Sequence, residues 1–259
     1  MTVQIQGYLR ALAARRRGAE RIGPFLAAYD SHSDNPYRNY AIPDDRAEPT
    51  PDEVQALIAA FALRGRTPRL EYVPVAAPAV EAALRDAGFV AEGRYPLMTV
   101  TPQLARDLPQ PPGIALLLAT TDDDLLAAAT VQNIAYGEPA APTTHDVARL
   151  RSTLDDGGIV ALARDAANGE PVGAGLCTSP IDGVTEVAAI GVIPDYRRRG
   201  VAGALTALLV RAAIAAGVTA PFLMSASEEG ARIYARAGFA PVSEVLMISR
   251  PRADEDART

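Results

Sequence analysis

The sequence predicts an α/β chain in two halves, each built on a mixed α+β sheet, and three observations carry that prediction. Thr101 to Gly113, TPQLARDLPQPPG, interrupts two regular regions with proline and polar residues. Beyond it, short apolar runs divided by turn residues alternate with helical stretches, as hairpin strands and crossover helices do. Before it, a shorter run of elements follows a related order. The expected division is an N-terminal domain over residues 1–106, a linker at 107–113 and a second domain over 114–259. Each half is long enough to bury a core without staples.

Taken in order, GYLRALAARRRGAERI (Gly7 to Ile22) reads as one continuous helix with Arg15, Arg16 and Arg17 on a solvated basic face. Asn39 to Pro43 suits a strand. The following TPDEVQALIAAFALRG suits a helix with Thr50 as N-cap and Pro51 in its first turn. Arg69 to Val75 is a strand, Ala77 to Ala87 a helix and Arg94 to Val100 a strand. After the linker, Ile114 to Thr120 is a strand. Asp122 to Tyr136 and Thr144 to Leu154 are helices, the first with an acidic first turn that suits the helix dipole. Gly158 to Asp165, Pro171 to Ser179 and Thr185 to Ile193 are strands. An alanine-rich helix runs from Val201 to about Ala216, then come the strand Ala220 to Ala226, the helix Glu228 to Ala237 and a strand at Val242 to Ser249. Ala83 to Val100, ALRDAGFVAEGRYPLMTV, resembles Ile233 to Ser249, IYARAGFAPVSEVLMIS: a helix ends at Ala-Gly-Phe and a strand carrying Leu-Met follows. An internal duplication explains the match, and so would a general helix-stop device used twice.

Composition removes several chemistries. All 25 basic residues are arginine, so lysine-dependent phosphate loops and Schiff bases are excluded. The single Cys177 and the distant His32 and His145 offer no metal cluster, so no metal is expected. A net charge of −6 disfavours nucleic acid. No apolar run spans a bilayer and the start lacks a signal peptide's apolar stretch, so a cytoplasmic protein with no membrane partner is expected.

The constellation that carries chemistry is AAIGVIPDYRRRGVAGALTALLVRA. A strand ends at Pro194, a short turn presents backbone N–H groups, Gly200 removes a side chain and a long helix begins. Half a positive charge at the helix N-terminus, free N–H groups and the small Ala202 and Gly203 make an anion cradle. This stretch resembles the [QR]-x-x-G-x-[GA] signature of the GCN5-related N-acetyltransferase (GNAT) superfamily, with Arg197, Gly200 and Ala202 at the specified positions. SEEGARIYARAGF downstream resembles that family's N-x-x-A-x-x-[LI]-Y-x-x-x-G-F: Tyr234, Gly238 and Phe239 match, while Ser227 replaces asparagine and Gly230 alanine. The resemblance covers Ile114 to Arg250.

It implies a GNAT acyl-CoA N-acyltransferase fold in the C-terminal half and acetyl-CoA as co-substrate. The backbone of Ile190 and Val192 would hold the pantetheine arm, and the region of Val192 would polarise the thioester. Arg197, Arg198, Arg199, Gly200, Val201, Ala202 and Gly203 would hold the pyrophosphate, with Ser227 and Tyr234 also on the cofactor side. Tyr234 occupies the general-acid position. Glu186, fourteen positions before Gly200, stands where histone-acetylating members carry their glutamate base, a role that many members give to water. Asp195 is expected to face solvent and Cys177 to pack in the core. His145 and Tyr136 are candidates for the acceptor side.

The first half carries no such cradle. Asp44, Asp45, Glu48 and Asp52 surround its strand-to-helix turn, which has no glycine, and would repel a pyrophosphate. The expectation is a truncated, degenerate GNAT-like half that no longer binds CoA, packs on the catalytic domain and lines part of the acceptor cleft. The implied activity is acetylation of a primary amine, on a small molecule or peptide, in a ternary complex. The alternative is a non-catalytic acyl-CoA sensor or interaction module. Homo-oligomer formation is left open.

Overall fold

The structure, a computed structural model, describes residues 1–139 and 141–251. In chain order it runs α1 (Thr2–Ala14), β1 (Glu20–Ile22), β2 (Phe25–Ala28), β3 (Tyr40–Pro43), α2 (Pro51–Leu63), β4 (Arg69–Tyr72), α3 (Val80–Asp86) and β5 (Val90–Thr99). It continues with β6 (Ile114–Leu118), α4 (Asp122–Tyr136), α5 (Thr144–Asp155), β7 (Ile159–Asp165), β8 (Pro171–Cys177), β9 (Val184–Val192), α6 (Val201–Ala215), β10 (Ala220–Met224), α7 (Glu228–Arg236) and β11 (Ala240–Ser249). Threonines fix three helix starts. Thr50, Thr121 and Thr143 each accept the N–H of the third helical residue, and at Thr50 and Thr143 an acidic side chain reaches back to complete a capping box.

The chain divides into two compact units, Met1–Leu97 with Val242–Thr259, and Met98–Pro241. This departs from the boundaries expected at 106 and 114, and the last strand is the reason. All four residues of β4 are buried, so its backbone groups need partners on both flanks. β3 meets one flank in parallel at the single register Ala41↔Leu70. β11 takes the other, antiparallel, from Leu246↔Tyr72 to Ser249↔Arg69. The end of β5 belongs to the second unit, where Val100 N–H donates to Pro221 O at 3.1 Å.

In the first unit the helix expected across Gly7 to Ile22 stops at Ala14. Gly18 packs so closely on Tyr29 that a Cβ there would lie 2.7 Å from its carbonyl oxygen, and Glu20 enters a β1–β2 hairpin turned at Gly23, φ 51°. Arg15 and Arg17 are exposed as expected, whereas Arg16 donates to Arg38 O at 2.7 Å. Fully buried Gln6 spans the gap where β3 and β4 diverge. Its Nε2 donates to Pro43 O at 3.3 Å, and Val73 N–H donates to its Oε1 at 2.8 Å. One turn on, Arg10 donates to Pro43 O and pairs with Asp45 at 2.6 Å, while Arg21 binds Asp44 at 2.8 Å. Gln6→Ala would orphan the buried Val73 N–H, while Arg10 still holds Pro43 O, and is expected to cost about 1–3 kcal/mol, read as a lower urea midpoint with an unchanged slope.

In the second unit β6, β7, β8 and β9 are antiparallel neighbours, and β10 joins β9 in parallel. Alternation along β7 feeds two cores. Ala161 and Ala163 pack with Val201, Leu205 and Leu209 of α6. Val160 and Leu162 pack with Leu125 and Ala128 of α4 and Leu150 of α5. Cys177 is buried in the α6-side core, with its thiol pushed up to about 12 by that burial and no trace of nucleophile activation.

Candidate functional site

The site is organised by how β9 ends. Its pairing with β10 covers only Val184–Glu186 against Ala220–Phe222, yet β9 runs on to Val192 and β10 to Met224. Past Glu186 one edge of β9 is therefore open. On the other edge the register steps from Ala174↔Gly191 to Leu176↔Ala188, so Gly175 faces both Ala189 and Ile190. That extra residue is a β-bulge, and Ala189 takes φ 52° to make it. Ile193 N–H donates to Val172 O at 3.0 Å. By antiparallel alternation the preceding Val192 turns its own N–H and C=O away from β8, toward the open side.

The last turn of α4 lies on this bulge. A Cβ on Gly191 would stand 2.7 Å from that of Ala135, so only glycine lets the helix this close. Gln132 Nε2 donates to Ala189 O at 3.3 Å and the Tyr136 hydroxyl to Ile190 O at 3.1 Å. Arg197 reaches back from the following loop. Its Nε donates to Val192 O at 3.0 Å and its Nη2 to Ala135 O at 3.4 Å.

The loop itself passes through a 3-10 turn at Pro194–Tyr196 and two left-handed residues, Arg198 at φ 60° and Gly200 at φ 87°, before α6 starts with Gly200 as its N-cap. The first N–H groups of α6, from Val201, Ala202 and Gly203, have no acceptor within the helix, and Gly200 brings no capping side chain to occupy them. The helix dipole adds to this a partial positive charge. The three arginines have separate surroundings. Arg197 is engaged with backbone carbonyls, and Arg199 stacks 4.8 Å above the ring of Tyr196, whose hydroxyl donates to Asp165. Arg198 is exposed, as is Asp195. A Cβ on Gly203 would meet Leu108 at 3.1 Å, so its missing side chain makes room for that leucine.

Tyr234 is half-buried on α7, packed edge-on to Phe239 with ring centroids 6.3 Å apart, and burial raises its pKa. Tyr136 lies close enough that repulsion from Tyr234 adds to its own upward shift, which burial dominates. Its hydroxyl is tied to Ile190 O, and the residue as a whole is 60% exposed. Ser227 N-caps α7, accepting Gly230 N–H at 3.0 Å. A Cβ on Gly230 would meet the buried Ser225 hydroxyl at 2.9 Å, which accounts for glycine where alanine was expected. Glu186 is half-buried where β9 and β10 part, and its N–H donates to the Thr178 hydroxyl at 3.0 Å. His145 is half-buried in the first turn of α5. Among the described residues no cluster of His, Cys, Asp and Glu could hold a metal, and no helix is long and apolar enough to cross a membrane. The Tyr136 and Gln132 contacts with the bulge carried no sequence signal beyond position at the end of a helix.

A model of the acetyltransferase (GNAT) family matches residues 107–239, just over half of the chain. The chain belongs to the GNAT family. Its match ends at Phe239, the last residue of the second signature, and falls within the second unit. Whole-chain similarity to solved GNAT structures shows a shared fold. A GCN5-related N-acetyltransferase from Kribbella flavida is 24% identical, with 99% of this chain and 98% of that one covered and a TM-score of 0.80. One from Sphaerobacter thermophilus is 18% identical over 88% and 78%, TM-score 0.67. A tandem GNAT protein from the clavulanic acid biosynthesis pathway is 14% identical over 98% and 96%, TM-score 0.60. No curated protein matches the chain.

Proposed function

We propose that the second unit transfers an acetyl group from acetyl-CoA to a primary amine by direct attack in a ternary complex. The observation that carries this reading is the open edge of β9, leading through a bulge and an outward-facing Val192 N–H into the Gly200 loop and the N-terminus of α6. A donor at Val192 suits the oxygen of a thioester carbonyl, on which charge grows as the amine attacks. The free N–H groups and Arg198 suit the pyrophosphate. The amine nitrogen bonds to the carbonyl carbon, the carbon–sulfur bond breaks, the amine loses a proton and the departing thiolate is met by the Tyr234 hydroxyl. Three to four strand residues separate Glu186 from the bulge, about 10–13 Å in extended chain. Glu186 therefore receives the amine proton through water, not by contact.

The first unit is read as a truncated GNAT-like half without a CoA site. Two features support this: the β3–α2 turn holds acidic side chains bound by Arg10 and Arg21, and Gln6 fills the gap between β3 and β4. The likeness to a tandem GNAT protein is in keeping with it. Calorimetry with acetyl-CoA is expected to give one site per chain, and two sites of similar affinity would contradict the assignment. Release of free thiol from acetyl-CoA, measured against small primary amines, polyamines and peptide N-termini, tests the activity. Binding without turnover for every amine would instead make the protein an acyl-CoA sensor.

A further inference from the structure

We propose that Tyr136 and Arg197 are paired positioning residues that clamp the last turn of α4 onto the β9 bulge, and that Arg197 contributes through this clamp and not through the pyrophosphate. The proposal rests on the acetyl-transfer reading above. Arg197 is the first position of the [QR]-x-x-G-x-[GA] signature, where a side chain on the phosphates would be the simplest assumption. In the structure its guanidinium turns the other way. Nε is spent on Val192 O, and Nη2 on Ala135 O, one residue before Tyr136. Tyr136 closes the clamp from the opposite end, with its hydroxyl on Ile190 O. The two side chains thus take the carbonyls on either side of Gly191, the residue whose missing Cβ admits α4.

The consequence concerns the polarity of the cleft wall. Val192 presents both a donor and an acceptor to the open side of β9, and a bare carbonyl beside a thioester oxygen would repel it. With Val192 O held by a cationic guanidinium and Ile190 O by a phenol, the acceptors on this stretch are occupied and the N–H of Val192 remains for the substrate. The clamp also fixes the helix that borders the acceptor side to the strand that borders the donor side. A displacement of about 1 Å between the reacting groups is enough to lower a rate 100-fold.

The test compares Tyr136→Phe, Arg197→Gln, their combination and Arg198→Gln in the full chain. CoA affinity is read by calorimetry, the carbonyl stretching band of bound isotope-labelled acetyl-CoA by infrared difference, and turnover by thiol release. Tyr136→Phe and Arg197→Gln are expected to keep CoA affinity within about twofold, to move the bound carbonyl band back toward its position in solution, and to lower turnover about tenfold. The double variant should be no worse than the poorer single one, because both remove one device. Arg198→Gln should weaken CoA about tenfold, more at low salt than at high, and leave the band in place. The proposal is overturned if Arg197→Gln weakens CoA as much as Arg198→Gln does, or if the band stays put in Tyr136→Phe, which loses only a hydroxyl and keeps the ring packing should the arginine variant fail to fold. A wild-type chain that binds no acetyl-CoA refutes the functional reading itself, a result distinct from either of these.

Discussion

Tyr234→Phe is expected to lower kcat about 10- to 100-fold while leaving the affinity for acetyl-CoA unchanged. The estimate comes from what the phenol can do at its observed place. Burial raises its pKa above the ordinary 10, so the hydroxyl stays protonated throughout the range from pH 6 to 9. A thiol of ordinary pKa near 8.5 is the stronger acid of the two. Handing the proton over completely is therefore uphill by more than about 2 kcal/mol, and the useful contribution is a hydrogen bond to sulfur as negative charge builds there. A bond to a charged group is worth about 1.5–3 kcal/mol, which sets the range in rate. Because the group does not titrate below pH 10, the ratio of wild-type to variant kcat should be flat from pH 6 to 9. Equal turnover for the two proteins at every pH would remove Tyr234 from the chemistry.

Much of this site was legible in the sequence because its parts are local. The acidic first turn at Asp122 marks the start of α4, and the change from apolar alternation to Gly200 and an alanine-rich run places the loop and α6. What escaped depends on partners distant in the chain. β1 and β2, at three and four residues, are too short for a period, and the expected helix runs through β1 to Ile22, the residue before the Gly-Pro of their turn. Nothing in Val242 to Ser249 says that the strand will pair with Arg69–Tyr72. The bulge at Ala189 is equally silent, since Ala-Ala-Ile-Gly reads as ordinary strand. So is the direction in which a guanidinium turns: Arg197, Arg198 and Arg199 are the same letter with three different surroundings. The two Ala-Gly-Phe stretches, after α3 and after α7, share one local geometry. In both, the glycine after the helix has positive φ and the next N–H returns to the helix, from Phe89 to Leu84 O and from Phe239 to Tyr234 O.

Those two glycines make the second large prediction, in which one motif gives two outcomes. Gly88 and Gly238 both lie in the left-handed region, at φ 86° and 102°, so alanine at either should cost about 1 kcal/mol from backbone strain alone. Their surroundings differ. A Cβ on Gly88 meets only the end of the Arg250 side chain, at 3.5 Å, which can move aside. A Cβ on Gly238 would lie 2.0 Å from Leu104 O and 2.9 Å from its carbonyl carbon. That backbone cannot yield easily, because Leu104 N–H is bonded to Thr101 O and Arg106 N–H caps the end of α7 at Ala237 O, 3.1 Å away. Gly238→Ala must therefore either expel the segment from Thr101 to Arg106 or shift α7, which carries Tyr234. The expected loss is about 3 kcal/mol or more, against about 1 kcal/mol for Gly88→Ala, measured by denaturant midpoints in the full chain. Turnover by Gly238→Ala should also fall under conditions where it remains folded, since α7 positions the phenol, whereas Gly88→Ala should leave turnover unchanged. Equal costs at the two sites would mean that the glycine of the second signature serves only as a helix stop. Unequal costs in the stated order would tie it to the docking of the Thr101–Arg106 segment.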